Sequence, residues 1–145
     1  MPSPIEAQLI LCDAAQAEPA TGKIHMLGAG WSQTSSPTAP MGLAVLIKVP
    51  WDRANEKITM LFSLLDSDGQ PVAVQTPAGP QAISSQGQLE VGRPPGLAHG
   101  SSIDASFALN VSPLPIPPGR YQWRLDLANE IFSVFFTVRA TPQVP

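Results

Sequence analysis

Apolar residues recur at every second position along most of this chain, and this alternation limits its possible folds more than any other feature. Successive side chains of a β-strand point to opposite faces, so the alternation predicts strands with one buried face. The clearest case is segment 103–111, whose apolar positions are Ile103, Ala105, Phe107, Leu109 and Val111. No segment keeps the helical period of about 3.6 residues beyond a single turn. The chain is therefore predicted to be all-β, with no long helix.

Clusters of glycine, proline, asparagine and aspartate separate eight or nine short predicted strands. These are 5–12, 23–31, 41–49, 58–65, 71–75, 88–91, 103–111, 121–127 and 131–139. Segment 41–49 is apolar on both faces, which predicts a place at the centre of a sheet. Residues 13–21, 32–40 and 76–86 are predicted loops, and 51–56 can hold one helical turn. Such a series favours a two-sheet antiparallel β-sandwich of immunoglobulin-like or C2-like type, with a closed barrel as the alternative.

The length of 145 residues suits one domain, which we expect to span residues 1–140, followed by a frayed proline-rich tail at 141–145. Eight Lys+Arg against 11 Asp+Glu give a net charge of −3, which argues against nucleic acid as a partner. No apolar run reaches the roughly 18 residues of a membrane span, and no leader peptide is expected. A single cysteine agrees with a cytoplasmic location.

The sequence Asp66-Ser67-Asp68-Gly69 resembles the opening of a calcium-binding loop. A calcium loop of this kind needs a glutamate at its twelfth position, where this chain has Pro77. Aspartate and glycine are also the residues that favour a plain turn. We therefore expect a turn between two strands and no metal site.

Cys12, a histidine and an aspartate could in principle form a nucleophile, a base and an orienting carboxylate. The candidates are His25, His99, Asp13 and Asp104. Cys12 lies at an apolar strand end, where a free cysteine normally behaves as a small hydrophobic residue. We expect no catalytic residues and no cofactor, so the protein is predicted not to be an enzyme.

Gly28-Ala29-Gly30 is part of a dinucleotide-binding fingerprint, but no predicted helix and no third glycine follow it. Glycine within a strand more often marks a bulge or a close approach of another group, for which the Trp31 ring is the candidate.

Two tryptophans next to loops are the best candidates for contact with a partner or ligand, since aromatic residues dominate binding hot spots. The candidate residues are Trp31, Trp51, Asp52, Arg53, Arg93, Pro94 and Pro95. The low charge fraction and the apolar second faces at Ile10, Leu65 and Phe135 also favour an interface. We expect a protein-interaction or structural module, acting as a homo-oligomer or as a subunit or adaptor. The alternative is a module that binds a small apolar ligand or a carbohydrate through Trp31 and Trp51.

Several blocks together resemble a family of small, uncharacterised β-rich bacterial proteins, mostly actinobacterial. The blocks are Leu11-Cys12-Asp13-Ala14, Gly22-Lys23, Gly28-Ala29-Gly30-Trp31-Ser32, Val49-Pro50-Trp51-Asp52-Arg53-Ala54-Asn55, Glu90-Val91-Gly92-Arg93-Pro94-Pro95-Gly96, and Pro113-Leu114-Pro115 with Pro118-Gly119-Arg120-Tyr121. The resemblance covers nearly the whole chain and implies a single β-rich domain. It carries no functional residues over.

Overall fold

The computed structural model describes residues 4–140, which form an all-β protein with one short 3-10 turn at Trp51–Arg53. The strands are β1 (Glu6–Cys12), β2 (Ala14–Glu18), β3 (Lys23–Leu27), β4 (Gln33–Ser35), β5 (Met41–Val49), β6 (Ile58–Leu65), β7 (Ala73–Thr76), β8 (Gly79–Ala82), β9 (Ser84–Leu89), β10 (Ile103–Val111), β11 (Gly119–Leu127) and β12 (Glu130–Arg139). The all-β prediction and the helical turn near Trp51 are confirmed.

Two larger sheets carry most of the structure. One has the order β1-β5-β10, and the other has the order β4-β12-β11-β6-β9. β5 pairs antiparallel with both β1 and β10, so its predicted central position is confirmed. Hairpins β2-β3 and β7-β8 form two further sheets.

The main core lies between the two larger sheets. Phe62 of β6 stacks on Phe107 of β10 with ring centroids 5.2 Å apart. The indole Nε1 of Trp123 donates a hydrogen bond to Met41 Sδ at 3.5 Å, which joins β11 to β5. The predicted inward row of β11 is confirmed, since Tyr121, Trp123, Leu125 and Leu127 are all buried. Side chains of both sheets thus belong to one hydrophobic cluster.

The β2-β3 hairpin is fastened to the outer face of the three-stranded sheet. The Asn110 side chain accepts a hydrogen bond from Ala15 N at 3.0 Å and donates one to Ala15 O at 2.9 Å. Ser106 Oγ donates to Lys23 O at 3.0 Å. A second, smaller apolar cluster of Cys12, Ala15 and Ala44 lies under the hairpin.

The predicted two-sheet sandwich of eight or nine strands was wrong in its counts, because residues 4–140 form 12 strands in four sheets. The additional strands lie in segments 13–21, 32–40 and 76–86, which were predicted as loops. They were missed because β2, β4 and β8 are short and each holds at most one buried residue, so they lack a continuous apolar face. The predicted strand at 88–91 is the end of a longer strand, β9, that begins at Ser84.

The predicted strand 23–31 ends at Leu27, before the Gly28-Ala29-Gly30 segment. The expected close approach at these glycines occurs at Gly28, where a Cβ would lie 2.1 Å from Asp13 Oδ2. The neighbouring group is therefore the Asp13 carboxylate and not the Trp31 ring. The predicted tail at 141–145 lies outside the described residues. Between residues 4 and 140, no helix has the length and hydrophobicity to cross a membrane.

Candidate functional site

The end of β5 leads directly into the 3-10 turn that carries Trp51. The guanidinium of Arg93 lies over the Trp51 ring, with Cζ 4.2 Å from the ring centroid. The same side chain donates hydrogen bonds to Trp51 O from Nε at 3.2 Å and from Nη2 at 2.7 Å. Residues 42 positions apart in sequence are therefore joined by a cation–π contact and two hydrogen bonds.

His99 completes this group, and the sequence did not single it out as a partner of Trp51. Its ring centroid is 4.9 Å from that of Trp51, with the planes tilted by 60°. Asn55 N donates to Val91 O at 2.7 Å, so the long loop between β9 and β10 is fastened to the turn beside Trp51. The available signal was the position of His99 in the same glycine- and proline-rich loop as Arg93.

A cleft of about 430 Å³ opens beside Trp51, and we call it the Trp51 cleft. Its lining residues are Pro4, Glu6, Lys48, Pro50, Trp51, Asp52, Gly100 and Ser102. Lys48 also forms an ion pair with Asp104 on the neighbouring strand β10. The cleft thus presents carboxylates and one ammonium group around a single aromatic ring, which suits a small polar ligand.

The structure brings Trp51, Asp52 and Arg93 together but turns Arg53 elsewhere. The Arg53 guanidinium donates to both carboxylate oxygens of Glu56, at 2.7 and 3.2 Å. This hydrogen bonding lowers the pKa of the Glu56 carboxyl from its ordinary value. Pro94 and Pro95 are exposed on the loop next to Arg93.

Trp31 lies at the other end of the fold. Its ring packs edge-on against Phe136 of β12 with centroids 6.2 Å apart. Gly30, the residue before Trp31, donates its N–H to Leu11 O, and Leu11 pairs with Leu43 near the beginning of β5. Trp51 follows the other end of β5 at Val49, and six residues of strand, or about 20 Å, separate Leu43 from Val49. The two loop tryptophans therefore cannot form one binding surface, as the ligand-binding alternative requires.

The outer face of the five-stranded sheet exposes three large apolar side chains. Leu61, Ile131 and Phe135 are 39%, 56% and 48% exposed, and we call them the outer apolar patch. Leu61 and Ile131 both pair with Asp126, so they flank it in one row across the sheet. Of the three, only Phe135 was predicted from the sequence as an interface residue, although the alternation along β12 places Ile131 on the same face.

Arginine side chains surround the outer apolar patch. Arg120 lies over the Phe135 ring, with Cζ 4.9 Å from its centroid. Arg124 Nη2 donates to Asp126 Oδ1 at 3.1 Å. Arg139 is four positions after Phe135 on β12 and therefore lies on the same face. On β11 and β12 this face therefore carries three arginines and one carboxylate, and Asp66 lines a cleft together with Arg120 and Phe135.

The residues considered for metal binding or catalysis lie at separate places in the fold. Asp66 Oδ1 accepts hydrogen bonds from Asp68 N at 2.9 Å and Gln70 N at 3.0 Å, so the predicted turn is confirmed. No cluster of three or more His, Cys, Asp or Glu side chains suited to a metal ion occurs in residues 4–140. Cys12 is buried, and its burial raises the pKa of the thiol.

The two histidines are engaged at separate places. His25 pairs with the Glu18 carboxylate on the β2-β3 hairpin. His99 contacts Trp51 beyond the Val49 end of β5, whereas Cys12 pairs with Gly42 near its other end. Seven residues of strand, or about 23 Å, separate those positions. Cys12 and His99 therefore cannot act as a nucleophile and its base.

A family model matches residues 7–136 and is described as a family of unknown function (DUF6941). The match spans nearly all of the described strands. The bacterial, mostly actinobacterial origin that the sequence blocks imply stays a prediction. No curated protein matches the chain.

Proposed function

The chain belongs to the DUF6941 family of unknown function, and from that premise we propose that it is a non-enzymatic protein-contact module. It would work as a subunit or adaptor of a larger assembly, or as a homo-oligomer. The observation that carries the proposal is the outer apolar patch, with Leu61, Ile131 and Phe135 exposed on one open sheet face.

The energetic argument starts from the exposure of these side chains. Burying a large apolar side chain fully is worth about 1.5–3 kcal/mol, and each patch residue keeps 39–56% of its surface in water. Much of that free energy remains available to a partner. A β-sheet also holds Ile131 and Phe135 in fixed positions, so little conformational entropy is lost when a partner covers them.

The charges around the outer apolar patch indicate what the partner presents. Arginine is enriched at protein interfaces and pairs well with carboxylates. Arg120 and Arg139 therefore favour a partner surface with acidic groups around an apolar centre, whereas Arg124 is already paired with Asp126. The proposal of a non-enzymatic role is supported by the separate engagement of His25 and His99 described above.

A photo-crosslinking experiment tests the outer apolar patch. We expect benzoylphenylalanine at position 135 or 131 to crosslink the same protein species in lysate of the source organism. The matched control is position 27, because Leu27 is 72% exposed but lies on the β2-β3 hairpin. Mass spectrometry of the crosslinked bands identifies the partner, or a second copy of the chain.

A substitution at Phe135 tests whether the outer apolar patch contributes to binding of the crosslinked species. Phe135→Asp should keep the melting temperature close to that of the wild type, because Phe135 is 48% exposed, and should weaken binding of the crosslinked species at least about tenfold. Equal crosslinking at position 27, or none at 131 and 135, would contradict the proposal.

We propose, as a second candidate, that the Trp51 cleft binds a small polar ligand such as a carbohydrate. The supporting observation is the cleft of about 430 Å³ beside an indole ring. Arg93 covers one face of that ring, so a sugar would contact its remaining surface.

Indole N–H signals in NMR spectra report this binding. With a panel of monosaccharides and disaccharides, we expect the Trp51 signal to shift while the signal of Trp123, which is 1% exposed, stays fixed. Trp31 is the internal control, since it lies about 20 Å or more from the cleft. A Trp51 signal that no sugar moves, or one that moves together with Trp31, removes this candidate.

We propose also that the two larger sheets form an immunoglobulin-like sandwich. We propose separately that the protein works in the cytoplasm. The fold proposal is supported by Tyr121, whose hydroxyl donates to Pro117 O at 2.6 Å. A tyrosine near the start of a strand, bonded to the backbone a few residues upstream, is typical of such domains. The location is supported by Cys12, a buried free thiol that suits a reducing compartment.

A further inference from the structure

Strand β10 has one free edge. It pairs with β5 along its whole length. On its other side, none of the backbone hydrogen bonds found within residues 4–140 reaches it. Proteins usually protect such edges with lysine, proline, glycine bulges or short strands. β10 is nine residues long, has none of these residue types, and carries a single charge at Asp104.

The core is open along the second half of this strand. Phe107, Leu109 and Val111 face the core, yet all three stay partly exposed. Their partners on β5, which are Val45, Leu43 and Met41, are at most 1% exposed. The first half of β10 differs, since Ile103 and Ala105 are 4% and 6% exposed. The incomplete part of the core therefore lies at residues 107–111.

A cleft of about 320 Å³ opens at the same place. Its apolar lining includes Ile83, Leu109, Val111, Leu114 and Trp123. Trp123 is only 1% exposed, so the cleft reaches the main core. An added strand that brought apolar side chains to this edge would both pair with the backbone of β10 and cover the cleft.

We propose that the occupant of this edge is β10 of a second copy, paired antiparallel about a two-fold axis at Leu109. In that register Leu109 faces the second copy's Leu109, and Phe107 faces the second copy's Val111. On the outer face Ala108 lies opposite the second copy's Asn110. The inward row is thus apolar on both strands, as the open core requires.

The charges and the sequence ends of the strand support this register. Residues 105–114 contain no charged side chain, so no like charges meet at the centre of the pairing. Pro113 would lie opposite the second copy's Ala105, and proline has no N–H to donate, so the pairing ends there. A two-fold pairing that closes on itself also forms a dimer and not a fibre. The edge is separate from the outer apolar patch, so either proposal can fail without the other.

The test uses opposite charges at the two-fold axis. Wild-type protein is expected to be a dimer in sedimentation velocity at about 100 μM, a concentration that detects weak association. Leu109→Lys and Leu109→Glu should each sediment as monomers, because like charges would face each other at the two-fold axis. The dimer dissociation constant of each variant should rise at least about tenfold. An equimolar mixture of the two variants should dimerise again. Leu27→Lys and Leu27→Glu, on the exposed hairpin, are the control substitutions and should leave the dimer unchanged.

Three outcomes would overturn the proposal: a monomeric wild type, charge variants that dimerise like the wild type, or folded variants whose mixture stays monomeric. If the charge variants do not fold, Leu109→Cys in a Cys12→Ala background decides. Opposed residues of antiparallel strands have Cα atoms about 4.5–5.5 Å apart, which permits a disulfide. A disulfide-linked dimer at position 109 but not at position 27 supports the pairing, and equal yields at the two positions reject it.

Discussion

Gly42→Ala is expected to lower the free energy of unfolding by about 1–3 kcal/mol, as overpacking of a filled interior does. A Cβ at position 42 would lie 2.9 Å from Cys12 Sγ and 3.0 Å from both Cα and C of Ala14. Two of these three atoms belong to the backbone at the beginning of β2, so they cannot move aside without moving the hairpin. Denaturant unfolding at neutral pH measures the loss.

The control for this prediction is the same change at a second strand glycine. At Gly87 a Cβ would meet nothing closer than Met60 Cε at 3.7 Å, an ordinary contact distance. Gly87→Ala is therefore expected to be neutral or to stabilise the fold by up to about 1 kcal/mol, because alanine restricts the unfolded chain. Equal effects of the two substitutions would show that strand glycines matter here only through chain entropy.

Amide hydrogen exchange shows which part of the fold the Gly42→Ala substitution destabilises. Ala15 N donates to the Asn110 side chain, so its amide is protected only while the hairpin is docked. In Gly42→Ala we expect faster exchange at Ala15 and little change at Leu125, which is in the centre of the other large sheet. Uniform loss of protection would instead mean that the hairpin and the main core unfold together.

The parts of the fold that the sequence predicted are those with a buried face. The apolar run of β5 indicated a central strand, and the alternation along β11 indicated which side chains enter the core. In both, the energy of burial dominates, and burial leaves a pattern in the sequence. Strands β2 and β8 left no such pattern, because β2 has one buried residue and β8 has none. They are held by backbone pairing and, for β2, by the hydrogen bonds between Asn110 and Ala15.

The candidate sites also divide into features that the sequence predicts and features that depend on how the strands pair. The sequence proposed Trp51, Asp52 and Arg93 from residue type, and these three do lie together. It could not separate Trp31 from them, because the distance between two loops depends on strand order, which alternation does not specify. The outer apolar patch could have been predicted further, since Ile131 and Phe135 lie four positions apart on one face of a single strand. Leu61 joins them only through the pairing of β6 with β11.

Tyr121→Phe is expected to cost about 0.5–1.5 kcal/mol at neutral pH, the typical net contribution of one intramolecular hydrogen bond to stability. The phenol is 5% exposed, and its hydroxyl donates to Pro117 O at 2.6 Å. Phenylalanine keeps the ring contact with Phe136, whose centroid is 5.7 Å away, so the substitution removes little besides the hydroxyl.

The same variant should behave differently in alkali. Burial, and secondarily the charge of Asp66, raises the pKa of Tyr121 above its ordinary value of 10.0. The folded state therefore holds this proton more tightly than the unfolded state. The resulting stability is complete below pH 10 and is lost as the pH rises from there toward the folded pKa.

Denaturant unfolding of both proteins between pH 7 and about pH 11 tests this prediction. The wild type should lose its advantage over Tyr121→Phe above pH 10, because phenylalanine has no proton to lose. Cys12, whose pKa is also raised by burial, titrates in both proteins, so it cancels in the difference. A difference between the two proteins that stays constant across this range would mean that the Tyr121 hydroxyl does not depend on burial for its protonation.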